Sequence, residues 1–185
     1  MSALVLDHPH SLLSSLFGRY YEKVESSPMR VLPDDETQLV VFSGGEDVGT
    51  NPERDAHEAM AYAEAIRLGI PMVGICRGAQ FLHVMNGGVL HQHVEGHLGG
   101  HSITTYKGTR VPVTSTHHQM LNMEGSHQHQ LIAWASIVGP KDPEVVHYPD
   151  TNVLCVQFHP EFAQEGSPCR RYFDLLLNNF MFGEL

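Results

Sequence analysis

The segment Gly74-Ile75-Cys76-Arg77-Gly78 has the form G-x-C-x-G and stands where an apolar run ends and a helical pattern begins. A thiol placed there suits nucleophilic chemistry. A sharp strand-to-helix turn lifts the nucleophile from the sheet edge, as in the related G-x-S-x-G elbow, and small flanking residues let the chain bend. A helix N-terminus favours anionic sulfur. The backbone N–H of Arg77, at the start of that helix, has no intrahelical acceptor and is free to bond an oxyanion. The Arg77 side chain has two open readings: positioning of the helix start, or contact with a substrate carboxylate.

A cysteine nucleophile needs a base, and the base needs an orienting group. The apolar run Val153 to Phe158 ends in His159-Pro160-Glu161. Pro160 restrains the backbone between the two polar residues. Their side chains can then point the same way, with His159 as base and Glu161 holding its tautomer and stabilising imidazolium.

Taken together, these segments resemble class I glutamine amidotransferases. Pro71-Met72-Val73-Gly74-Ile75 followed by Cys76-Arg77-Gly78-Ala79-Gln80 is similar to their nucleophile segment. Val156-Gln157-Phe158-His159-Pro160-Glu161 is similar to their His–Glu segment, and Ser43-Gly44-Gly45 to their oxyanion loop. Other features resemble the γ-glutamyl hydrolase branch, which includes γ-glutamyl-γ-aminobutyrate hydrolases. These are Gly44-Gly45-Glu46-Asp47, Arg54-Asp55 with Glu58, Asn86-Gly87-Gly88 followed by Leu90 and Gln92, and Ser115-Thr116-His117-His118-Gln119. The resemblance runs in order from about residue 39 to residue 175.

The resemblance implies a flavodoxin-like three-layer α/β/α sandwich, with a mixed, mainly parallel central sheet and β-hairpin additions. It also implies a cysteine-dependent amidohydrolase that cleaves the γ-amide of glutamine or of a γ-glutamyl amine through a glutamyl thioester. Catalysis would fall to Cys76, His159 and Glu161, and the oxyanion hole to the N–H groups of Gly45 and Arg77. Gln80, His118 and Gln119 would line the substrate pocket. No cofactor is expected. The alternative is a glutaminase subunit that supplies ammonia to a synthetase or ligase partner. Two departures from the family pattern bear on that choice. The front end, before Leu39, is short. Glu46 and Asp47 follow Gly45 where many amidotransferases carry proline, which favours the hydrolase-like branch.

The elements that must position these residues follow from periodicity. Ala3 to Leu6 and Leu39 to Phe42 read as buried strands, and Arg30 to Leu32 as another. Ser11 to Val24 carries an apolar helical stripe. Asn51 caps a second helix with Pro52 at its first position, and Gly69 and Pro71 end it. Pro71 to Ile75 reads as a strand and Gln80 to Met85 as helix. This alternation predicts a parallel sheet covered on both faces. Beyond it, Val89 to Val94, Ser102 to Tyr106, Val111 to Thr114, Leu131 to Ile137, Glu144 to Tyr148 and Val153 to Phe158 read as strands separated by turns. Cys169 to Phe182 reads as a closing helix. The 185 residues suit one domain, taken as 1–185.

Composition narrows the partners. A formal net charge of −10 argues against a nucleic-acid surface, which needs clustered Lys and Arg. No apolar stretch approaches a membrane span or a secretory leader. The three cysteines lack regular spacing and fit a reducing, cytoplasmic setting. Cys155 reads as core and Cys169 as a helix-start residue. Arg54, Asp55 and Glu58 read as a structural ion-pair group. The 14 histidines include His91 with His93, His97 with His101, His117 with His118, and His127 with His129. Such pairs invite a zinc reading. A cysteine triad needs no metal, and no metal site is expected from them; clustered histidines would instead make activity pH-sensitive.

Overall fold

The computed structural model describes residues 2–6, 12–27, 31–139 and 141–182. In chain order the elements are β1 (Ser2–Leu6), α1 (Leu13–Phe17), β2 (Lys23–Ser27), β3 (Thr37–Phe42), α2 (Pro52–Leu68), β4 (Met72–Ile75), α3 (Arg77–Met85), β5 (Val89–His91) and β6 (Leu98–Thr105). They continue with β7 (Arg110–Thr116), β8 (Met120–Asn122), β9 (Gln130–Ala135), β10 (Asp142–Tyr148), β11 (Val153–Val156), a 3-10 turn (Pro160–Phe162) and α4 (Pro168–Phe180).

One sheet of nine strands runs in the order β2-β1-β3-β4-β11-β10-β9-β6-β7, and β5 and β8 form a separate ribbon. Neighbours from β2 through β11 are parallel, and those from β11 through β7 are antiparallel. The predicted mixed α/β sandwich, with hairpins added to a parallel core, is thus the observed architecture.

The two-residue side-chain period of a strand explains the layers. Ala3, Val5, Leu39, Val41, Leu154 and Val156 face one side and pack with Phe17 of α1 and Phe173 and Leu177 of α4. Their alternates Leu4, Leu6, Val40, Phe42, Val153 and Cys155 face the other side and pack with Ala61 and Ala65 of α2 and Leu82 of α3. Both faces of the parallel strands are therefore apolar, so the sequence reads there as continuous hydrophobic runs.

Local signals set the helix ends. The Asn51 side chain accepts a hydrogen bond from the Arg54 N–H at 3.2 Å. Gly69 closes α2 in the left-handed conformation at φ 70°. Ser167 caps α4 in the same way, at 3.3 Å from the Arg170 N–H.

Several expected boundaries are corrected. The stripe expected from Ser11 to Val24 yields a helix only over Leu13–Phe17; Ser11 lies outside the described residues. Gly18 follows the helix, and Val24 belongs to edge strand β2. That short front end still supplies a strand–helix–strand unit. Of the strand expected over Arg30 to Leu32, Arg30 lies outside the described residues, and Val31 and Leu32 lie in no strand. The strand expected to reach Val94 stops at His91. No helix among the described residues is long and apolar enough to cross a membrane.

Candidate active site

Three adjacent parallel strands, β3, β4 and β11, deliver their C-terminal ends to one rim of the sheet. Ligands bind at this end of parallel sheets, where loops and helix N-termini converge. β3 ends into Ser43-Gly44-Gly45, β4 into Cys76, and β11 leads to His159.

The glycines around Cys76 are steric requirements. A Cβ on Gly74 would lie 2.5 Å from the Gly78 backbone, and one on Gly78 would lie 2.1 Å from the Phe42 carbonyl oxygen. Strand β3, strand β4 and helix α3 meet closely because neither position carries a side chain. Cys76 itself takes φ 51° and ψ −109°. A non-glycine residue in that region is strained, and such strain concentrates at functional sites. Its N–H is bonded to the Val156 carbonyl at 2.8 Å, which ties the elbow to β11.

His159 lies against this elbow. A Cβ added to Gly44 would stand 3.2 Å from His159 Cε1 and 3.7 Å from Cys76 Cβ, so loop, thiol residue and imidazole meet at one point. His159 Nδ1 donates to Glu161 Oε1 at 2.7 Å, and Nε2 lies 2.8 Å from the Thr116 hydroxyl. The His159 N–H donates to the Thr114 carbonyl at 2.9 Å, fixing the backbone against β7. Phe162 stacks on the ring, with centroids 4.6 Å apart and planes 15° from parallel. Burial opposes a charge on this imidazole. Hydrogen bonding and charge from Cys76 and Glu161 outweigh that and hold its pKa well above the usual imidazole range. Burial pushes the thiol of Cys155 well up and that of Cys169 to about 11, so both remain protonated at neutral pH.

Of the two readings for the Arg77 side chain, the structure supports helix positioning. It is 2% exposed and bonded to Glu58 and Asp55 of α2, which engages its guanidinium at the helix start. Glu58 also accepts from Arg54 Nε at 2.9 Å. Arg54 Nη2 in turn donates to the Ser43 carbonyl at 3.1 Å and to the Gly44 carbonyl at 3.1 Å. In a trans peptide the N–H points opposite the C=O. Holding the Gly44 carbonyl on Arg54 therefore turns the Gly45 N–H the other way. The expected structural ion-pair group is present, and it also fixes this loop.

A cavity of about 430 Å³ is lined by Gly45, Glu46, Asp47, Cys76, Arg77 and Gln80, by the run Thr116 to Gln119, and by His159 and Phe162. Every expected oxyanion and pocket residue thus borders one space with Cys76 and His159. Gln80 Nε2 donates to the Gln119 carbonyl at 3.1 Å, and Gln119 Nε2 donates to Gln92 Oε1 at 2.7 Å. His118 pairs with Asp47 at 3.0 Å between two loops of the lining.

The family model for peptidase C26 matches residues 42–161. The chain belongs to the peptidase C26 family. It thereby falls within the class I glutamine amidotransferase superfamily. A Mycobacterium tuberculosis protein named as a glutamine amidotransferase is 38% identical over 127 residues, which are 60% of this chain and 41% of that protein. The carbamoyl phosphate synthase small chain of Streptococcus pyogenes is 27% identical over 173 residues, 91% of this chain and 47% of that one. The chain therefore spans less than half the length of these two curated relatives. Among solved structures, a glutamine amidotransferase from Thermotoga maritima superposes with a TM-score of 0.75 at 16% identity, covering 95% of this chain and 82% of that one. PurLQS from the same organism superposes with a TM-score of 0.71 at 21% identity, covering 96% and 97%. These two likenesses establish the fold of the C26 chain.

Three contributors escaped the sequence reading. Thr116 was visible only as part of a motif and Arg54 only as an ion-pair partner. Phe162 follows Glu161 directly, but nothing in the sequence signals that its ring turns back onto the imidazole.

Proposed function

We propose that the chain is a cysteine amidohydrolase acting on the γ-amide of glutamine or of a small γ-glutamyl amine. The observation that carries this reading is the placement of His159 between Cys76 and Glu161 at a pocket, with Cys76 on a strained strand-to-helix elbow. His159 takes the Cys76 proton, and the sulfur attacks the amide carbon. The N–H groups of Gly45 and Arg77 stabilise the tetrahedral oxyanion. As the C–N bond breaks, His159 returns the proton to the leaving ammonia or amine, and a glutamyl thioester remains. His159 then takes a proton from water, the hydroxide adds to the thioester, and glutamate and the thiol are released. Glu161 holds the ring throughout. Gln80, His118 and Gln119 shape the pocket wall around the glutamyl group.

A second reading has its own support. The carbamoyl phosphate synthase small chain aligns with nearly the whole of this chain, and its name marks it as one part of a larger synthase. On that reading the chain is a glutaminase subunit whose ammonia goes to a synthetase partner.

One assay tests both. Purified protein is incubated with L-glutamine and a panel of γ-glutamyl amines, and released glutamate is measured beside Cys76→Ala. Turnover of one γ-glutamyl amine, absent in the variant, supports the free hydrolase. Slow glutamine turnover alone, absent in the variant, supports the subunit. Equal release by both proteins would overturn Cys76 as the nucleophile.

A further inference from the structure

Behind the pocket wall, the antiparallel half of the sheet encloses a second polar cluster. Glu144 of β10 is fully buried, and among the described residues its ion-pair partners are all histidines. Three imidazole nitrogens converge on its single oxygen Oε1: His101 Nε2 at 2.9 Å, His97 Nδ1 at 3.1 Å and His117 Nε2 at 3.5 Å. His97 is 0% exposed and His117 3%, so bulk water does not solvate the group. Four polar atoms in this nest make no hydrogen bond among the described residues: His97 Nε2, His101 Nδ1, His117 Nε2 and Glu144 Oε2. Buried polar groups are rarely left so, and each calls for a partner, a water or an ion.

The tautomer of His117 sharpens this. Its Nδ1 lies 2.9 Å from the Gln119 carbonyl, which can only accept, so Nδ1 carries the proton. In the neutral ring Nε2 then presents a lone pair toward the carboxylate. Two acceptors face each other, and a metal ion between them, or a second proton on the ring, turns repulsion into bonding.

The geometry points to a divalent metal site of the zinc class, with His97, His117 and Glu144 as its ligands. One donor atom from each of the three lies within 4.8 Å of the others. Around a tetrahedral zinc with bonds of about 2.0–2.1 Å, donor atoms stand roughly 3.3 Å apart. The 3.1 and 3.5 Å separations from Glu144 to His97 and His117 bracket that value. Two imidazoles and one carboxylate suit zinc and its first-row neighbours and disfavour calcium and magnesium, which select oxygen. With Nδ1 of His97 on the metal, its Nε2 faces Asp142 Oδ2 at 3.6 Å. Asp142 is itself held by the N–H groups of Ile137, Val138 and Gly139. That is the carboxylate–histidine support that orients metal-bound imidazoles. His101 does the same for the Glu144 carboxylate. One dication also balances the two buried carboxylates.

The ligands tie β10 to the segments that flank β6 and β7. His117 carries the link forward, because the Gln119 carbonyl it holds also receives Gln80 from α3. The metal would therefore stiffen the pocket wall without touching the reacting atoms.

The test is metal content and affinity, read without an activity assay. Untagged protein is unfolded with chelator, refolded with and without zinc, and desalted. Bound metal is measured by plasma mass spectrometry, affinity by competition with a chromophoric chelator, and the site by visible absorption after cobalt substitution. One zinc per chain and a tetrahedral cobalt spectrum are expected. The double variant His97→Asn/His117→Asn should lose affinity by well over tenfold, while His91→Gln/His93→Gln, altering exposed histidines, should keep it. Should the double variant fail to fold, the wild-type cobalt spectrum decides alone. No retained zinc, no tetrahedral cobalt spectrum, or equal affinity in a folded double variant would overturn the site and leave an imidazolium as the balancing cation.

Discussion

His159 gains its proton affinity from its neighbours against the opposition of burial. Its folded-state pKa lies above that of an unfolded chain, about 6.5. The protonated ring therefore stabilises the fold fully below about pH 6.5, and this contribution is lost as pH rises through the folded-state value. Glu161→Gln removes the charge that Nδ1 faces, so the ring should titrate lower. A pH series of imidazole NMR shifts would show this, and kcat/KM for glutamate release should fall about 10²–10⁴-fold. An unchanged titration would mean that Glu161 does not orient the base. Arg54 makes a different prediction, because it touches no reacting atom. Arg54→Lys keeps the charge and loses the fork that grips both Ser43 and Gly44 carbonyls. If the Gly45 N–H is the oxyanion donor proposed above, loosening it should lower kcat about 10²–10³-fold and change KM much less. Steady-state kinetics separates the two, and a rise in KM alone would assign Arg54 to ground-state binding. The meeting of Cys76, His159 and Glu161 was legible because the proposed roles of nucleophile, base and orienting group need fixed residue types at element ends. Thr116 and Phe162 were not, since their contacts with His159 depend on how β7 and the 3-10 turn fold back.

At the scale of elements, close approach carries the argument. Strand β3 and helix α3 meet at Gly78, where a methyl group would lie within 2.1 Å of the Phe42 carbonyl oxygen. Gly78→Ala should destabilise the fold by about 3 kcal/mol or more, because backbone on both sides must move. Urea unfolding measures it, and a cost under about 1 kcal/mol would mean the two elements separate freely. Strands β1, β3, β4 and β11 were readable as apolar runs because both their faces are covered. Strand β2, with the sequence Lys-Val-Glu-Ser-Ser, was not, because a sheet-edge position does not demand a hydrophobic pattern. Strand β8 has only three residues, too few to show a period. The helix expected over residues 11–24 was overextended, because its apolar stripe is shared between α1 and the β2 that follows Gly18.

Across the whole molecule the parallel and antiparallel halves divide the labour. The parallel strands end at Cys76, the Ser43-Gly44-Gly45 loop and His159, while the antiparallel strands carry Thr116, His118 and Gln119 to the facing wall. Strand–helix alternation predicted the first half as a class. The pairing of the second half was beyond the sequence. Four strands, β6, β7, β9 and β10, can be ordered many ways, and β9 sits between β10 and β6 only because long-range contacts select it.

The backbone of Cys76 has a consequence for how such proteins change over generations. At φ 51° an L side chain is disfavoured, and glycine is at ease. Cys76→Gly should therefore raise the unfolding free energy by about 1 kcal/mol while abolishing turnover, as chemical denaturation beside the glutamate assay would show. Loss of the reactive thiol is thus a downhill step for the fold. On the proposed chemistry, selection for turnover is what keeps sulfur there, so descendants released from that selection should drift toward sturdier, silent copies.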